Sequence, residues 1–226
     1  MSLRCEAQAL AKLQRLKASY QTRILRSFEH AAQDCRTCPT PGACCMDAHF
    51  VNVHITRLEA VSIRETIERT PRLSTDEKRA VYLRAKDAVR RYDLRAYGDT
   101  FAQTFACPLY VRGLGCLVHR RAKPAPCIQH ACYDSWEDLP PHALQARAEH
   151  RVEELNREVY GDSWGWLPLP LWLTLIDPLS DGSELHTLMR EWTTRACKDE
   201  SNSNHYARRK FFSLRNKKVR SLPVIS

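Results

Sequence analysis

Glycine is scarce in this chain: seven residues in 226, at positions 42, 98, 113, 115, 161, 165 and 182. They form neither G-x-G-x-x-G nor G-x-x-x-x-G-K-S/T, so the familiar dinucleotide-binding and P-loop chemistries are excluded. A long apolar run is missing too. The most apolar stretch, Trp164 to Ile176, falls short of the about 20 residues a bilayer span needs, and Pro168 and Pro170 interrupt it. It predicts a buried lid or connection and no membrane span. Met1 to Leu10 carries Arg4 and Glu6 where a secretory leader needs an apolar core, so a cytosolic location is expected. With 43% hydrophobic and 27% charged residues the chain is no candidate for wholesale disorder, and its length suits one sizeable core or two small ones.

What the chain has in plenty is cysteine. Eight of its ten fall into two groups, Cys35, Cys38, Cys44 and Cys45 within eleven residues and Cys107, Cys116, Cys127 and Cys132 within twenty-six. In a reducing compartment such bunching points to metal ligation or thiol chemistry rather than a disulfide framework. Zinc takes four nitrogen or sulfur ligands and iron–sulfur clusters take the same thiolates, so the residues alone leave both metals open. The adjacent Cys44 and Cys45 have Cα atoms about 3.8 Å apart, against the ~4.4–6.8 Å of ordinary disulfides. Neighbouring side chains in extended backbone point to opposite sides, so the pair suits two different metal ions, or one ligand plus a second thiol.

Several known signatures are absent. The chain lacks C-x3-C-x2-C and both ferredoxin spacings, and Cys127-Ile-Gln-His-Ala-Cys132 misses the P-C-x-x-C of zinc deaminases. Cys35-Arg-Thr-Cys38 has redox-dithiol spacing without the strand-to-helix context that lowers a thiol's pKa. His49, His54, His119 and His130 lie near the cysteines in sequence, but eight thiols already exceed the needs of one site, so they are expected as supporting or surface groups. Cys5 and Cys197 fall in predicted helices as packing or surface residues. Trp164, Trp166 and Trp172 are expected to fill core rather than line a ligand pocket.

Apolar residues at Leu10, Leu13, Leu16, Tyr20, Ile24, Leu25 and Phe28 predict a long amphipathic helix over residues 6–33. Two prolines and a glycine between Cys35 and Cys45 predict a loop. A short extended run, Phe50 to Ile55, leads to two capping-box signals, Thr56-Arg-Leu-Glu59 and Ser74-Thr-Asp-Glu77. They open a helix that Pro71 ends and a second running toward Gly98, read together as a helical hairpin. Phe105 to Cys132 reads as a loop or short hairpin. Further helices are predicted over Pro141–Tyr160, stopped by Gly161, and over Ser183–Lys198. From His205 on, seven basic residues and no acid leave only +2 of the net +9 for the first 204 residues. With Tyr206, Phe211 and Phe212 interleaved, this tail is either a solvated end or a contact for nucleic acid, an acidic protein or an anionic membrane.

The order C-x2-C, Cys-Cys, Phe105-Ala-Cys-Pro-Leu, Gly-Cys116, then Lys123-Pro124 ahead of Cys127 resembles the YkgJ-type cysteine-cluster family, described as zinc- or iron-chelating and often labelled iron–sulfur oxidoreductases. The resemblance covers residues 35–132 and matches Cys35, Cys38, Cys44, Cys45, Cys107, Cys116 and Cys127 to the family's cysteines. It departs at Lys123, where the family commonly has arginine, and at Ile128, where an arginine commonly follows the last cysteine. Cys132 lies just outside the usual pattern. A similar region in the flagellin lysine methylases is associated with an iron–sulfur cluster, which tilts the expected metal toward iron.

The expectation is therefore a mainly α protein with small β content, its helices bracketing two irregular cysteine-rich loops. Its segments are an N-terminal amphipathic helix (1–34), a cysteine-cluster metal-binding domain (35–135), a C-terminal helical part (136–204) and a basic tail (205–226). The expected cofactor is an iron–sulfur cluster, 4Fe-4S, held by four of the eight grouped cysteines, with electron transfer or modification of a protein or peptide partner as the role. The alternative is a zinc-binding interaction module whose tail, residues 205–226, docks nucleic acid or an acidic partner.

Overall fold

The computed structural model describes residues 3–33, 40–46, 51–133 and 135–200, with backbone alone at 3, 4, 33 and 195–200. Cys35, Cys38, His49, Phe50, the side chain of Cys197 and the basic tail lie outside the described residues. Among those described, eight α-helices and three two-stranded sheets make a mainly helical fold, as the periodicity predicts. The helices are α1 (Leu3–Ser27), α2 (Ala43–Met46), α3 (Arg57–Arg69), α4 (Thr75–Arg91), α5 (Ala125–Gln129), α6 (His142–Tyr160), α7 (Leu169–Leu175) and α8 (Ser183–Glu200). The strands are β1 (Ala32–Gln33), β2 (His54–Ile55), β3 (Tyr110–Val111), β4 (Gly115–Cys116), β5 (Cys132–Tyr133) and β6 (Leu167–Pro168). None of the described helices is long and apolar enough to cross a membrane.

Helix α1 is shorter than its periodicity suggests. The ladder stops at Ser27, Phe28 takes a non-helical φ of −138°, and a 3-10 turn leads into β1, whose Ala32 and Gln33 pair antiparallel with Tyr133 and Cys132. A side-chain repeat marks which face is buried; where the ladder ends depends on where the backbone groups find partners, and here β5 supplies them. Leu10, Leu13, Tyr20 and Ile24 are buried as expected, whereas Leu25 is half exposed. Lys17 occupies the same buried stripe and pairs with Glu59 of α3 at 2.7 Å.

Both capping boxes are present. Thr56 and Ser74 each accept the N–H of the glutamate three residues on, and each glutamate carboxylate reaches back to the cap N–H. The first box is built into the core: Asn156 of α6 accepts the Leu58 N–H at 2.9 Å and donates to the Thr56 hydroxyl at 2.9 Å. Helices α3 and α4 meet at their adjacent ends, where Tyr82 and Lys78 bond Glu68, and α7 packs against both. The expected hairpin is therefore opened: α3 and α4 touch at their ends and each packs on α7.

Helix α7 corrects the reading of Trp164–Ile176 as a lid or connection. Pro168 is the residue before the first turn of α7 and Pro170 lies within that turn, where a missing N–H costs nothing, so the prolines start a helix instead of breaking one. Trp172 and Leu173 are fully buried in the largest core cluster, with Ile63 and Ile67 of α3 and Val81 and Ala85 of α4. A second cluster joins α1, α3 and α6, and a third joins α1, α5 and α6 through Tyr20, Ile24, Ala125, Ile128, Leu144 and Ala148. Helix α6 ends at Gly161, as expected, with φ +57°. The tryptophans fill core or its edge: Trp172 donates to the Gly165 carbonyl, Trp166 donates to Glu153, and Trp164 packs on the second cluster.

Candidate metal centre

The first cysteine group does not sit wholly on irregular backbone. Cys44 and Cys45 ride the single helical turn α2, entered through Gly42 at φ +81°. A Cβ at Gly42 would overlap the Tyr110 ring, which covers the glycine and donates its hydroxyl to the Pro41 carbonyl at 2.9 Å. Only glycine meets both demands, a left-handed backbone and an aromatic face against the chain. On a helical turn neighbouring side chains diverge by about 100° rather than pointing to opposite sides. This corrects the extended-backbone reading of the pair, and its two sulfurs share a hydrogen bond.

Cys107, Cys116 and Cys127 of the second group fold against the turn that carries Cys44 and Cys45. Tyr110–Val111 and Gly115–Cys116 form an antiparallel hairpin, with Gly113 at φ +84° in its turn. The Cys107 N–H donates to the Cys45 carbonyl at 2.8 Å, fixing the two cysteine segments backbone to backbone. Cys127 sits on α5, again a short helix rather than the predicted loop, because Pro124 and Pro126 set the backbone of a first turn. The described part of the first loop, 40–46, meets the second.

Four thiols feel one another across this junction. Burial raises the pKa of Cys107 to about 12. Burial also raises Cys116, and it raises Cys127 with Cys107 and Cys116 adding like-charge repulsion. Cys45 is raised first by donating its proton to Cys44, then by burial and by the nearby Cys107. Cys44 is held well below the ordinary thiol range, because it accepts that bond from Cys45 and a second from His130. Cations stand around the group. Arg84 donates to the Pro108 carbonyl at 3.0 Å and faces Cys107, Lys17 and Lys123 face Cys127, and Lys123 also faces Cys116. Buried thiols with cations beside them are suited to hold an anionic metal–thiolate centre, since the metal replaces the proton and the cations offset the remaining charge. Among the described residues, no three His, Cys, Asp or Glu side chains are drawn onto a single metal-ion position.

Compared with known proteins, the chain matches no family model, no curated protein and no solved structure.

The remaining predicted residues divide. Cys132 stands on β5 opposite Gln33, two positions before Cys35 in the chain. Among the described residues, His130, at the end of α5, is brought to the thiols. His54 is buried in β2, bonded to the Asn52 carbonyl and stacked on Phe101 at 4.3 Å. His119 is exposed beside Lys123. Cys5 is exposed on α1. Sequence reasoning missed Lys17 and Arg84. Lys17 did leave a signal: it falls between Leu13 and Tyr20, at the 4 and 3 spacing of the buried stripe. Arg84, on α4, left none.

Proposed function

We propose that the protein binds an iron–sulfur cluster, 4Fe-4S in type, through four of its grouped cysteines, and that it serves in electron transfer or in cluster-dependent modification of a protein or peptide. The observation that carries this reading is the meeting of Cys45, Cys107, Cys116 and Cys127, which come from α2, an extended segment, β4 and α5 and bury soft donors together. Cys45, Cys107, Cys116 and Cys127 would each supply one thiolate to such a cluster, as they lie on four separate segments and do not converge on a single metal-ion position. Arg84 and Lys123 offset its negative charge, and the helical and hairpin walls leave the four sulfurs partly buried. The order of the cysteines resembles the YkgJ-type family, described as zinc- or iron-chelating, and the similar region of the flagellin lysine methylases, associated with an iron–sulfur cluster, tilts the metal toward iron. When bound, such a cluster supplies one-electron transfer.

Metal and acid-labile sulfide are to be measured on protein purified without oxygen, together with the visible spectrum before and after dithionite. Iron with sulfide and a broad absorption that bleaches on reduction is the expected result. Zinc without colour would replace this reading with the structural zinc module.

A further inference from the structure

A second feature is lined by Lys17 and Lys123, the two lysines that also act on Cys127. A cavity of about 180 Å³ opens between α1 and the turn that follows β4, lined by Lys17, Arg120, Arg121 and Lys123 together with the amides of Gln14 and Gln21. No acidic side chain among the described residues lines it. Lys17 is neutralised from behind by Glu59, whose other oxygen accepts the Thr56 N–H and hydroxyl. Arg120, Arg121 and Lys123 make no ion pair among the described residues. The turn aims them. Val118 and Ala122 are buried, and the Ala122 and Arg121 N–H groups both bond the Val118 carbonyl at 3.1 and 3.3 Å. The two arginines are thereby left on the solvent side of the turn.

Like charges crowded on a concave wall repel, and the wall is relieved when an anion enters. Size and charge narrow the class of anion. The cavity holds several waters but is smaller than the ~300–1,000 Å³ of sites that enclose a whole organic ligand, so it takes one compact group. Two guanidinium forks, one ammonium and two amides supply more donors than one carboxylate can accept, and they match the oxygens and the double charge of a phosphoryl group. We propose that this cavity binds the phosphate group of a small phosphorylated molecule, held by Arg120, Arg121 and Lys123 beside the wall of the cysteine centre. This goes beyond the metal reading and stands whether the thiols hold iron or zinc.

The test uses the full-length protein as purified, with inorganic phosphate and phenyl phosphate as probes, followed by calorimetry at low and at moderate salt. Three variants sort the outcomes. Arg120→Gln/Arg121→Gln should weaken both probes by at least about tenfold. Arg112→Gln/Arg151→Gln removes the same charge from exposed positions outside the cavity and should change binding by less than about twofold. Ala18→Trp, at an exposed lining position of α1, fills the cavity without changing charge and should abolish binding. Binding that survives Ala18→Trp, or that falls equally with either double variant, would show a diffuse basic surface and overturn the proposal. So would absence of binding by the unaltered protein at low salt, or displacement of both probes by a short single-stranded oligonucleotide that Ala18→Trp still binds.

Discussion

At the scale of single residues, Gly42 and Gly113 separate backbone strain from close approach. Both have φ above +80°, but a Cβ at Gly113 meets nothing within 4 Å whereas one at Gly42 would enter the Tyr110 ring. Gly113→Ala should therefore cost about 1 kcal/mol and leave the metal content intact. Gly42→Ala must displace either Tyr110 or the turn that carries Cys44 and Cys45, and should lower metal content severely. Equal metal in the two purified variants would contradict the clasp described between Tyr110 and α2. The thiols make a second prediction. Burial raises the pKa of Cys107, Cys116 and Cys127, so in metal-free, reduced protein the fold favours their protonated form. That contribution is fully present below the ordinary thiol value of 9.0 and is lost as pH rises toward about 12 at Cys107. Tyr20, Tyr82 and Tyr160 are raised by burial and act with the same sign. The share of Cys107 is thus the difference between the unaltered protein and Cys107→Ala. Urea midpoints between pH 8 and 11 should fall less steeply in the variant; parallel curves would mean that Cys107 is not a buried thiol. Cofactor loss follows the same division: Cys127→Ser should abolish metal binding, and Cys5→Ser, on exposed α1 surface, should leave it unchanged, as judged by metal analysis.

At the scale of elements, two similar signals have unequal consequences. Thr56-x-x-Glu59 and Ser74-x-x-Glu77 read alike and both form capping boxes. Only the first is buried, with Asn156 donating to the threonine hydroxyl and Lys17 bound to the glutamate. Ser74→Ala should cost about 1 kcal/mol, an ordinary cap. Thr56→Ala also leaves the Asn156 amide short of an acceptor in a dry interior, and should cost about 2–3 kcal/mol by chemical denaturation. Equal losses would mean the network adds nothing to the cap. Helix starts were legible because a cap is a local chemical event. The stop of α1 was not, since it depends on a partner far along the chain, β5 on β1; α4 ends at Arg91 rather than near Gly98 because Asp93 takes a left-handed φ of +48° and the Leu94 N–H turns back to the Val89 carbonyl, a cap marked by no glycine or asparagine. Helix α7 was illegible for a different reason. Buried on nearly every side, it shows no polar face, and its two prolines look like breakers until the position of the first turn is known. The cysteines were legible as groups, and the turn that presents each was not, because the packing of Tyr110 on Gly42 is a tertiary contact.

At the scale of the whole molecule, the candidate metal centre lies where two cores adjoin. Cys107 and Cys116 pack against the largest cluster, built on α3, α4 and α7, while Cys127 sits between Ala125 and Ile128 of the cluster that joins α1, α5 and α6. Metal bridging these thiols would tie the two cores together, so its removal should be felt unequally. The α3, α4 and α7 core keeps Trp172, Leu173, Ile63 and Ile67 at full burial through contacts that need no metal. The α5 side rests on five helical residues and a few apolar contacts, and short helices hold only through what they pack on. After anaerobic chelation, amide hydrogen exchange should rise by tenfold or more in α5 and in the β3–β4 hairpin, while α3 and α7 stay within about twofold. Such a pattern places the metal at the junction. A uniform rise across all helices would make it a requirement of the entire fold, and no change at either side would mean the thiols carry no metal that the fold uses.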